Sequence, residues 1–430
     1  MKKVAFYTLG CKVNQYETEA MSELFKKSGY EICDYDDFSD IYIINTCTVT
    51  GMSDRKSRQI IRRARKNNPN AFVIATGCYA QTSPGEILKI DGVNLVLGTR
   101  DRADIVTLYE KYSHSSGQCC VSDIMHTHDF DALSVSEYHD RTRAYIKVQE
   151  GCNQFCSYCI IPYARGPIRS RSFDEVIEET KSLAERGFTE ITYVGIHIAS
   201  YGLDTKSHDL ADLLLAANAV PGIRRIRLSS IEPMTLDEKF IDKIKDCSKL
   251  CHHFHLSLQS GCDETLKRMN RKYTTEQYYS IVEGLRRHFP DAAVTTDIMV
   301  GFAGETDDEF ETTCRFAEKV GFAGSHIFQY SVREGTPAAN FPNQVDPQVK
   351  EKRSKIISEI CRKSKQSFME DMLGQTVEVL FEQRVNGGYF EGKTGNYQNV
   401  RVKTGDNLAG EYRKVHLTEI NDDYFMGEIL

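Results

Sequence analysis

The sequence lacks several features that would place it in a special class of protein. Its 430 residues contain no tryptophan, and no apolar run approaches the ~20 residues of a membrane-spanning helix. The first residues, MKKVAFYTLGCKVN, carry two lysines, but their apolar stretch is too short for a signal peptide and no cleavage site follows. Basic residues are not in excess, since 54 Lys and Arg stand against 61 Asp and Glu, a net charge of −7. These absences argue against a membrane protein and against wholesale coating of a polyanion, and they predict a cytoplasmic location.

Cysteine, by contrast, is abundant. The chain contains 14 cysteines, in a compartment where disulfides are rare. A chain of this length buries an ordinary core, so that disulfides are not needed to stabilise it. With 40% hydrophobic and 27% charged residues, the composition is that of globular domains. Metal binding is therefore the leading explanation for the thiols.

The chain divides into four segments that differ in their pattern of apolar and polar residues, and this division predicts the domain organisation. Residues 1–112 alternate short apolar runs with helical patterns, which predicts an α/β domain with a doubly wound parallel sheet. Residues 113–140 are polar, have no clear period and read as a linker. Residues 141–370 contain six further strand–helix units, fewer than the eight that close a TIM barrel, and so predict a partial (βα)6 TIM-like barrel with a lateral opening. Residues 371–430 contain short β-type runs between glycine-containing turns, which predicts a small antiparallel β-barrel.

The sharpest local motif is a set of three cysteines, Cys152, Cys156 and Cys159, just past the first strand of the third segment. We call this set the loop triad. Three thiolates in one turn suit an iron–sulfur cluster. Structural zinc sites normally close with a fourth ligand, whereas three ligands on a [4Fe–4S] cube leave one iron free to bind something else. A zinc knuckle completed by a distant histidine is the alternative, although no HxxxH or second CxxC motif lies nearby.

A second set of cysteines, Cys11, Cys47 and Cys78, is spread along the first segment, and we call it the strand-end triad. Each of these residues lies one or two positions beyond the end of a predicted parallel strand. Because the carboxyl ends of parallel strands line one edge of an open α/β sheet, the three thiols are expected to converge there. Cysteine is also a common core residue, which is the alternative interpretation.

Together the motifs resemble those of the radical SAM (S-adenosylmethionine) methylthiotransferases. The loop triad has the CxxxCxΦC pattern, with Tyr158 as the aromatic residue before the last cysteine. The strand-end triad lies in the strings GCKVNQ (10–15), NTC (45–47) and TGC (76–78). Members of this family share an N-terminal α/β domain, a central radical SAM barrel and a C-terminal TRAM β-barrel. The resemblance covers essentially the whole chain, in the same order.

The resemblance implies two [4Fe–4S] clusters with different tasks. The loop triad would hold the cluster whose open iron chelates SAM, and reduction of SAM would yield the 5′-deoxyadenosyl radical that abstracts hydrogen from the substrate. The strand-end triad would hold an auxiliary cluster carrying the sulfur to be inserted, and a second SAM would methylate that sulfur. An electron donor such as flavodoxin or ferredoxin would complete the system.

Further candidate residues for SAM binding lie at the ends of barrel strands, where catalytic residues of such barrels are found. Besides Tyr158 they are Gly195, His197, Ser229, Glu232 and Gln259. Many radical SAM enzymes carry Gly-Gly-Glu after the second barrel strand, whereas this chain has Gly-Ile-His at that place. The departure leaves open which group holds the amine of SAM. Packing or helix capping is the alternative role for each of these residues.

Seven basic residues fall between positions 55 and 66, on the half of a predicted helix opposite an apolar stripe. Like charges crowd there with no acidic residue among them, which destabilises a helix unless an anion compensates. We therefore predict contacts with an RNA phosphate backbone, and a solvated face over the core is the alternative. The candidate RNA-binding residues are Arg55, Arg58, Arg62 and Arg65.

The string LGCKVNQYE (9–17) bears on the substrate. Within the family, tRNA branches modify the adenosine 3′ of the anticodon, and another branch modifies an aspartate of a ribosomal protein. The string is most similar to the branch that acts on N6-threonylcarbamoyladenosine in tRNA. Three alternatives stay open: the N6-isopentenyladenosine branch, the ribosomal-protein branch, and a non-catalytic metal-binding RNA protein.

Overall fold

A computed structural model describes residues 1–131, 133–135 and 142–430. The domain boundaries expected from the sequence stay predictions, and part of the predicted linker lies outside the described residues. No helix among the described residues is long and apolar enough to cross a membrane.

The N-terminal domain is built on a six-stranded parallel sheet. Its strands are β1 (Lys3–Thr8), β2 (Glu31–Cys33), β3 (Ile41–Thr46), β4 (Phe72–Gly77), β5 (Val93–Leu97) and β6 (Gln118–Cys120). They lie in the order β2-β1-β3-β4-β5-β6 and are all parallel. The helices are α1 (Lys12–Lys27), α2 (Gly51–Asn67), α3 (Cys78–Thr82), α4 (Pro84–Leu88) and α5 (Ile105–Tyr112).

Helices cover both faces of this sheet, as the doubly wound prediction requires. Along β3, Tyr42 and Ile44 join one hydrophobic cluster, with α2 and α4. The alternate residues Ile41 and Ile43 join a second cluster, with α1 and α5. Because successive side chains of a strand point to opposite faces, a fully buried strand such as β3 supplies both cores.

The two edge strands, β2 and β6, are absent from the sequence-based expectation. Strand β6 lies inside residues 113–140, the segment interpreted as a linker, and pairs with Leu95, Val96 and Leu97 of β5. Both edge strands are three residues long and neither contains a buried residue. An edge strand of this kind is held by backbone hydrogen bonds, and no apolar run in the sequence marks it.

The central domain is a partial barrel of six parallel strands. The strands of this domain are β7 (Arg143–Glu150), β8 (Arg169–Ser170), β9 (Glu190–Gly195), β10 (Arg225–Leu228), β11 (His253–His255), β12 (Ala293–Val300) and β13 (Gly324–Gln329). The helices are α6 (Ile161–Arg165), α7 (Phe173–Glu185), α8 (Leu210–Asn218), α9 (Glu238–Ile244), α10 (Asp263–Arg268), α11 (Thr275–His288), α12 (Asp307–Val320) and α13 (Pro347–Met372). Isolated bridges join the sheet β10-β9-β7-β8 to the sheet β11-β12-β13, and the short β8 is an antiparallel addition at the edge.

The C-terminal domain is a closed five-stranded barrel. Its strands are β14 (Thr376–Val385), β15 (Tyr389–Thr394), β16 (Asn399–Lys403), β17 (Tyr412–Asn421) and β18 (Tyr424–Ile429), in the order β14-β15-β16-β18-β17. The barrel is antiparallel as predicted except for one pair, since β16 and β18 run parallel.

The small barrel packs against the amino ends of the partial-barrel strands. Arg225, the first residue of β10, donates to the backbone oxygens of Glu378 (2.7 Å) and Lys393 (3.1 Å). Arg227 donates to the backbone oxygen of Gly395 (3.1 Å). The carboxyl ends of the same strands, where the loop triad lies, therefore face away from this contact.

Candidate functional site

The strand-end triad lies past the carboxyl ends of three neighbouring strands, β1, β3 and β4. Cys11 directly precedes α1, Cys47 follows β3, and Cys78 opens α3. Each thiol is within electrostatic range of another, Cys11 of Cys47, and Cys78 of both. Cys47 and Cys78 are buried, whereas Cys11 is exposed to solvent. One of the three thiols is therefore accessible from outside.

One arginine, Arg165 of α6, interacts electrostatically with all three thiols of the strand-end triad. Burial raises the pKa of all three thiols, and the guanidinium of Arg165 opposes that shift at each of them. Its Nε donates to Sγ of Cys78 over 3.1 Å. A buried cation beside a thiol favours the thiolate, which is the form that binds metal.

Glycine lets the loops of the strand-end triad approach one another. Gly10 has φ +98°, and a Cβ built on it would lie 2.9 Å from both Cβ and Sγ of Cys47. Gly77 has φ +93°, and its Cβ would lie 2.4 Å from the backbone oxygen of Thr46. Only glycine fits these two positions, because there is no room for a Cβ atom and because φ is positive.

The loop triad follows β7 through Gly151, whose φ is +74°. Burial raises the pKa of Cys152 to about 11 and that of Cys159 to about 12, and the thiols of the triad repel one another electrostatically. Nη1 of Arg271 lies 3.4 Å from Sγ of Cys156. The loop triad thus has the same design as the strand-end triad: three thiols and one buried guanidinium.

The donor chemistry of both triads suits iron–sulfur ligation. In the described part of the chain, no three Cys, His, Asp or Glu side chains form a group that could hold a single metal ion. Each triad supplies thiols alone, the ligands that iron–sulfur clusters use, and Arg165 and Arg271 would balance the charge of the thiolates.

A buried ion-pair network lies between the two triads, and the sequence gives little sign of it. Glu17 of α1 accepts from Nη1 of Arg165 (2.6 Å) and from Nζ of Lys147 (3.1 Å), and it pairs with Arg102. Lys147 also donates to Glu150 (2.8 Å). Burial raises the pKa of Glu17, but the three cations outweigh burial and lower it overall.

This network joins the N-terminal domain to the partial barrel. All five of its side chains are almost completely buried, so that removing one partner would leave a costly unpaired charge. Glu150 stands two residues before Cys152, and Arg165 touches Cys78. The network therefore holds the two triads in a fixed relation.

Among the other residues predicted to bind SAM, Glu232 makes the clearest polar contacts. Its Oε2 accepts from Nη2 of Arg271 (2.8 Å) and lies 3.8 Å from Nε2 of His197. Burial opposes ionisation of Glu232, but His197 and Arg271 lower its pKa overall. Nε2 of His197 and Oγ of Ser229 are buried and have no hydrogen-bond partner among the described residues. Buried polar atoms of this kind are what a polar ligand would satisfy.

Three further predicted residues show mainly packing or backbone contacts. A Cβ at Gly195 would lie 2.9 Å from Oε1 of Gln149. Gln259 has φ +64°, and its backbone N–H donates to Asp297 over 2.8 Å. Tyr158 packs edge-to-face on Phe302, with ring centres 6.3 Å apart.

Two of the four arginines predicted to bind RNA are free for such a contact. Arg58 donates to the hydroxyl of Tyr79 (2.7 Å), and Arg65 donates to backbone oxygens of the loop that follows α2. Arg55 and Arg62 are exposed, and neither has a partner among the described residues.

Comparison with known proteins identifies two domains by their sequence families. Residues 146–317 match the radical SAM superfamily, and residues 3–98 match the family described as uncharacterized protein family UPF0004. Both matches fall on domains that carry a cysteine triad.

Curated relatives extend over the whole chain. The threonylcarbamoyladenosine tRNA methylthiotransferase MtaB of Bacillus subtilis is 42% identical over 100% of this chain and 97% of its own length. The protein of the same name from Aquifex aeolicus is 38% identical over 88% of this chain and 92% of its own. A tRNA-2-methylthio-N(6)-dimethylallyladenosine synthase of Acetivibrio thermocellus is 35% identical over 98% of this chain and 90% of its own.

Among solved structures, the radical SAM methyltransferase TsrM from Kitasatospora setae has a similar fold, with a TM-score of 0.59 and 16% identity over 79% of this chain and 77% of its own. Family membership implies that SAM and a [4Fe–4S] cluster are used. The cysteine motifs, the three-domain architecture and the full-length relatives lead to one conclusion: the chain belongs to the radical SAM methylthiotransferase family of enzymes.

Proposed function

We propose that this enzyme adds a 2-methylthio group to N6-threonylcarbamoyladenosine at the adenosine 3′ of the tRNA anticodon. The observation that carries the proposal is the pair of three-cysteine sites, held in a fixed relation by one buried ion network. The nucleoside is supported by the relatives, since three proteins named for threonylcarbamoyladenosine are 42%, 38% and 37% identical, and a dimethylallyladenosine synthase follows at 35% and a fourth protein named for threonylcarbamoyladenosine at 34%.

The loop triad would hold the [4Fe–4S] cluster to which SAM binds, and the strand-end triad would hold a second, auxiliary [4Fe–4S] cluster. When bound, these groups supply the radical that removes hydrogen from the base and the sulfur that replaces it. The three ligands in each triad leave one iron of each cube without a protein ligand, which suits both tasks.

The surrounding side chains would bind, orient and balance charge. Arg165 and Arg271 favour the thiolate form of the triads, and Glu232 holds Arg271 in place. His197 and Ser229 offer buried polar atoms for the polar parts of SAM. Preorganised groups of this kind act without rearrangement at the moment of reaction.

The tRNA would bind across the face of α2, where Arg55 and Arg62 would contact phosphates of the backbone. One-electron reduction needs a donor, and a small electron carrier such as flavodoxin or ferredoxin fits that role. A tRNA substrate implies a cytoplasmic location.

Two measurements test the proposal. We expect tRNA from a deletion strain to lose the 2-methylthio derivative of threonylcarbamoyladenosine in nucleoside mass spectrometry, and complementation to restore it. Loss of the isopentenyladenosine derivative instead would assign the other tRNA branch, and unchanged tRNA would point to a protein substrate.

The second measurement concerns the clusters. Anaerobically reconstituted enzyme should carry about eight irons per chain, and Cys152→Ala should abolish SAM cleavage while about half of the iron remains. Cys119→Ala is the matched control, because Cys119 is exposed on β6, and it should retain full iron and activity. Zinc in place of iron would refute the proposal.

A further inference from the structure

A cluster of cations surrounds Tyr397 where the C-terminal barrel meets the partial barrel. The ring centre of Tyr397 lies 4.3 Å from Nζ of Lys393 and 5.9 Å from Nζ of Lys12. The guanidinium carbons of Arg227 and Arg143 lie 4.6 and 5.5 Å from the same point. We call these four cations and the ring the Tyr397 cluster.

The acidic residues near the Tyr397 cluster form ion pairs with its arginines and, among the described residues, none with its two lysines. Glu190 pairs with Arg227 (3.0 Å) and with Arg143 (3.6 Å), and Glu382 pairs with Arg143 (2.7 Å). Among the described residues, neither Lys12 nor Lys393 has a carboxylate within 4.0 Å. Nζ of Lys393 donates to the amide oxygen of Asn399 (2.5 Å). The cluster therefore carries an excess of two positive charges.

The site would stabilise an added anion. Burial opposes ionisation of the Tyr397 hydroxyl, yet the surrounding cations lower its pKa overall. Burial also lowers the pKa of Lys393, and the nearby Tyr397 and Glu382 oppose this shift without reversing it. Two half-buried ammonium groups beside one ring cost free energy in the absence of an anion.

The position of the cluster relates it to the substrate. Lys12 directly follows Cys11 in the chain, so the Tyr397 cluster adjoins the first cysteine loop of the strand-end triad. Lys393 comes from the C-terminal barrel, and its ammonium group lies nearer to the Tyr397 ring than that of Lys12. The two lysines are half-buried, unlike Arg55 and Arg62 on the surface of α2. The exposed arginines are placed to bind a phosphate of the RNA backbone. The half-buried lysines are placed to bind a small anionic group on the base that enters the site.

We propose that Lys12 and Lys393 bind the carboxylate of the threonylcarbamoyl group and thereby select this nucleoside. The inference rests on the proposed function, because the carboxylate distinguishes threonylcarbamoyladenosine from adenosine and from its isopentenyl derivative. An apolar isopentenyl group would leave both half-buried ammonium groups without an anionic partner, which is a strong basis for rejection.

The test compares three anticodon stem-loop RNAs of one sequence. They carry threonylcarbamoyladenosine, its carboxylate methyl ester or plain adenosine, and binding to reconstituted enzyme is followed by fluorescence anisotropy. We expect the wild-type enzyme to bind the acid at least about tenfold more tightly than the ester, since hydrogen bonds between charged groups are lost. Lys12→Met and Lys393→Met should each remove most of this preference, and Lys12→Arg should retain part of it.

Two controls separate the possible outcomes. Lys403→Met, an exposed lysine on β16, should leave the preference intact, and iron content shows whether Lys12→Met still holds its clusters. Equal weakening of all three RNAs by the lysine variants would assign a phosphate contact and overturn the inference, as would an unchanged preference for the acid.

Failure of the proposed function gives a different result. A wild-type enzyme that does not methylthiolate the acid-bearing RNA refutes the function itself. A wild-type enzyme that methylthiolates the acid and the ester equally well refutes only the carboxylate site.

Discussion

At the scale of single residues, Gly10 controls the approach of two cysteine loops. Replacement by alanine, Gly10→Ala, would force a non-glycine residue to φ +98° and place its Cβ 2.9 Å from Sγ of Cys47. The backbone strain alone should cost about 1–3 kcal/mol of stability. Because Cys47 must also move, we expect reconstituted protein to lose about half of its iron, the share of the auxiliary cluster.

Gly29→Ala is the matched control for Gly10→Ala. Gly29 has a similar φ of +84°, but no atom lies within 4 Å of a Cβ built on it. This variant should show the same order of destabilisation in urea while keeping its iron. If both variants hold equal iron, the close approach of Gly10 to Cys47 has no part in cluster binding.

At the scale of elements, the exposed side of α2 should act as an electrostatic contact for RNA. Arg55→Ala and Arg62→Ala each remove a cation that has no protein partner among the described residues. Each change should weaken binding of modified and unmodified RNA alike and should lower the slope of log K against log salt by about one. Affinity measured between low and moderate salt gives this slope.

Arg63 on the same helix supplies the control. Its guanidinium is paired with Asp36, so Arg63→Ala should change the salt slope less than either of the other variants. Equal slopes for all three variants would mean that α2 acts through its total charge, without specific phosphate contacts.

The structure also shows which elements can be predicted from the sequence alone. Strands β3 and β4 are buried throughout, and each begins with an apolar run that makes it predictable, as is the placement of a cysteine just after each strand. Strand β6 has no apolar run, so nothing in its three residues marks it. Arg165 was missed for another reason: its partner Glu17 lies 148 residues away along the chain, and only the fold brings them together. Local periodicity therefore predicts where the thiols lie, but it does not predict that the guanidinium of Arg165 lies beside them.

At the scale of the whole molecule, the three domains meet around the Tyr397 cluster. Lys12 comes from the N-terminal domain, Arg227 from the partial barrel and Lys393 from the C-terminal barrel. His253 of β11 stacks on Tyr397 with ring centres 4.7 Å apart and planes at 13°. Packing of the C-terminal barrel should therefore depend on the charge of this histidine.

The pH dependence of stability follows from the environment of His253. Burial lowers its pKa well below the usual 6.5, and Arg227, His255 and Lys12 add to the shift. Nδ1 of His253 is buried without a hydrogen-bond partner among the described residues, so a proton there would find no acceptor. The unfolded chain binds this proton near pH 6.5 and the folded protein does not, and stability is therefore lost as pH falls below 6.5.

One pH unit below that value, at pH 5.5, His253 should cost the protein about 1.4 kcal/mol relative to neutral pH. His253→Phe retains a ring to stack on Tyr397 and cannot bind a proton. Urea unfolding at pH 5.5 and 7.5 should therefore show a smaller loss of stability for this variant than for the wild type. His114→Phe changes an exposed histidine in the same way and should respond to pH as the wild type does. If His253→Phe also matches the wild type, His253 is protonated in the folded protein as readily as in the unfolded chain, and the buried contact with Tyr397 does not set the acid sensitivity of the fold.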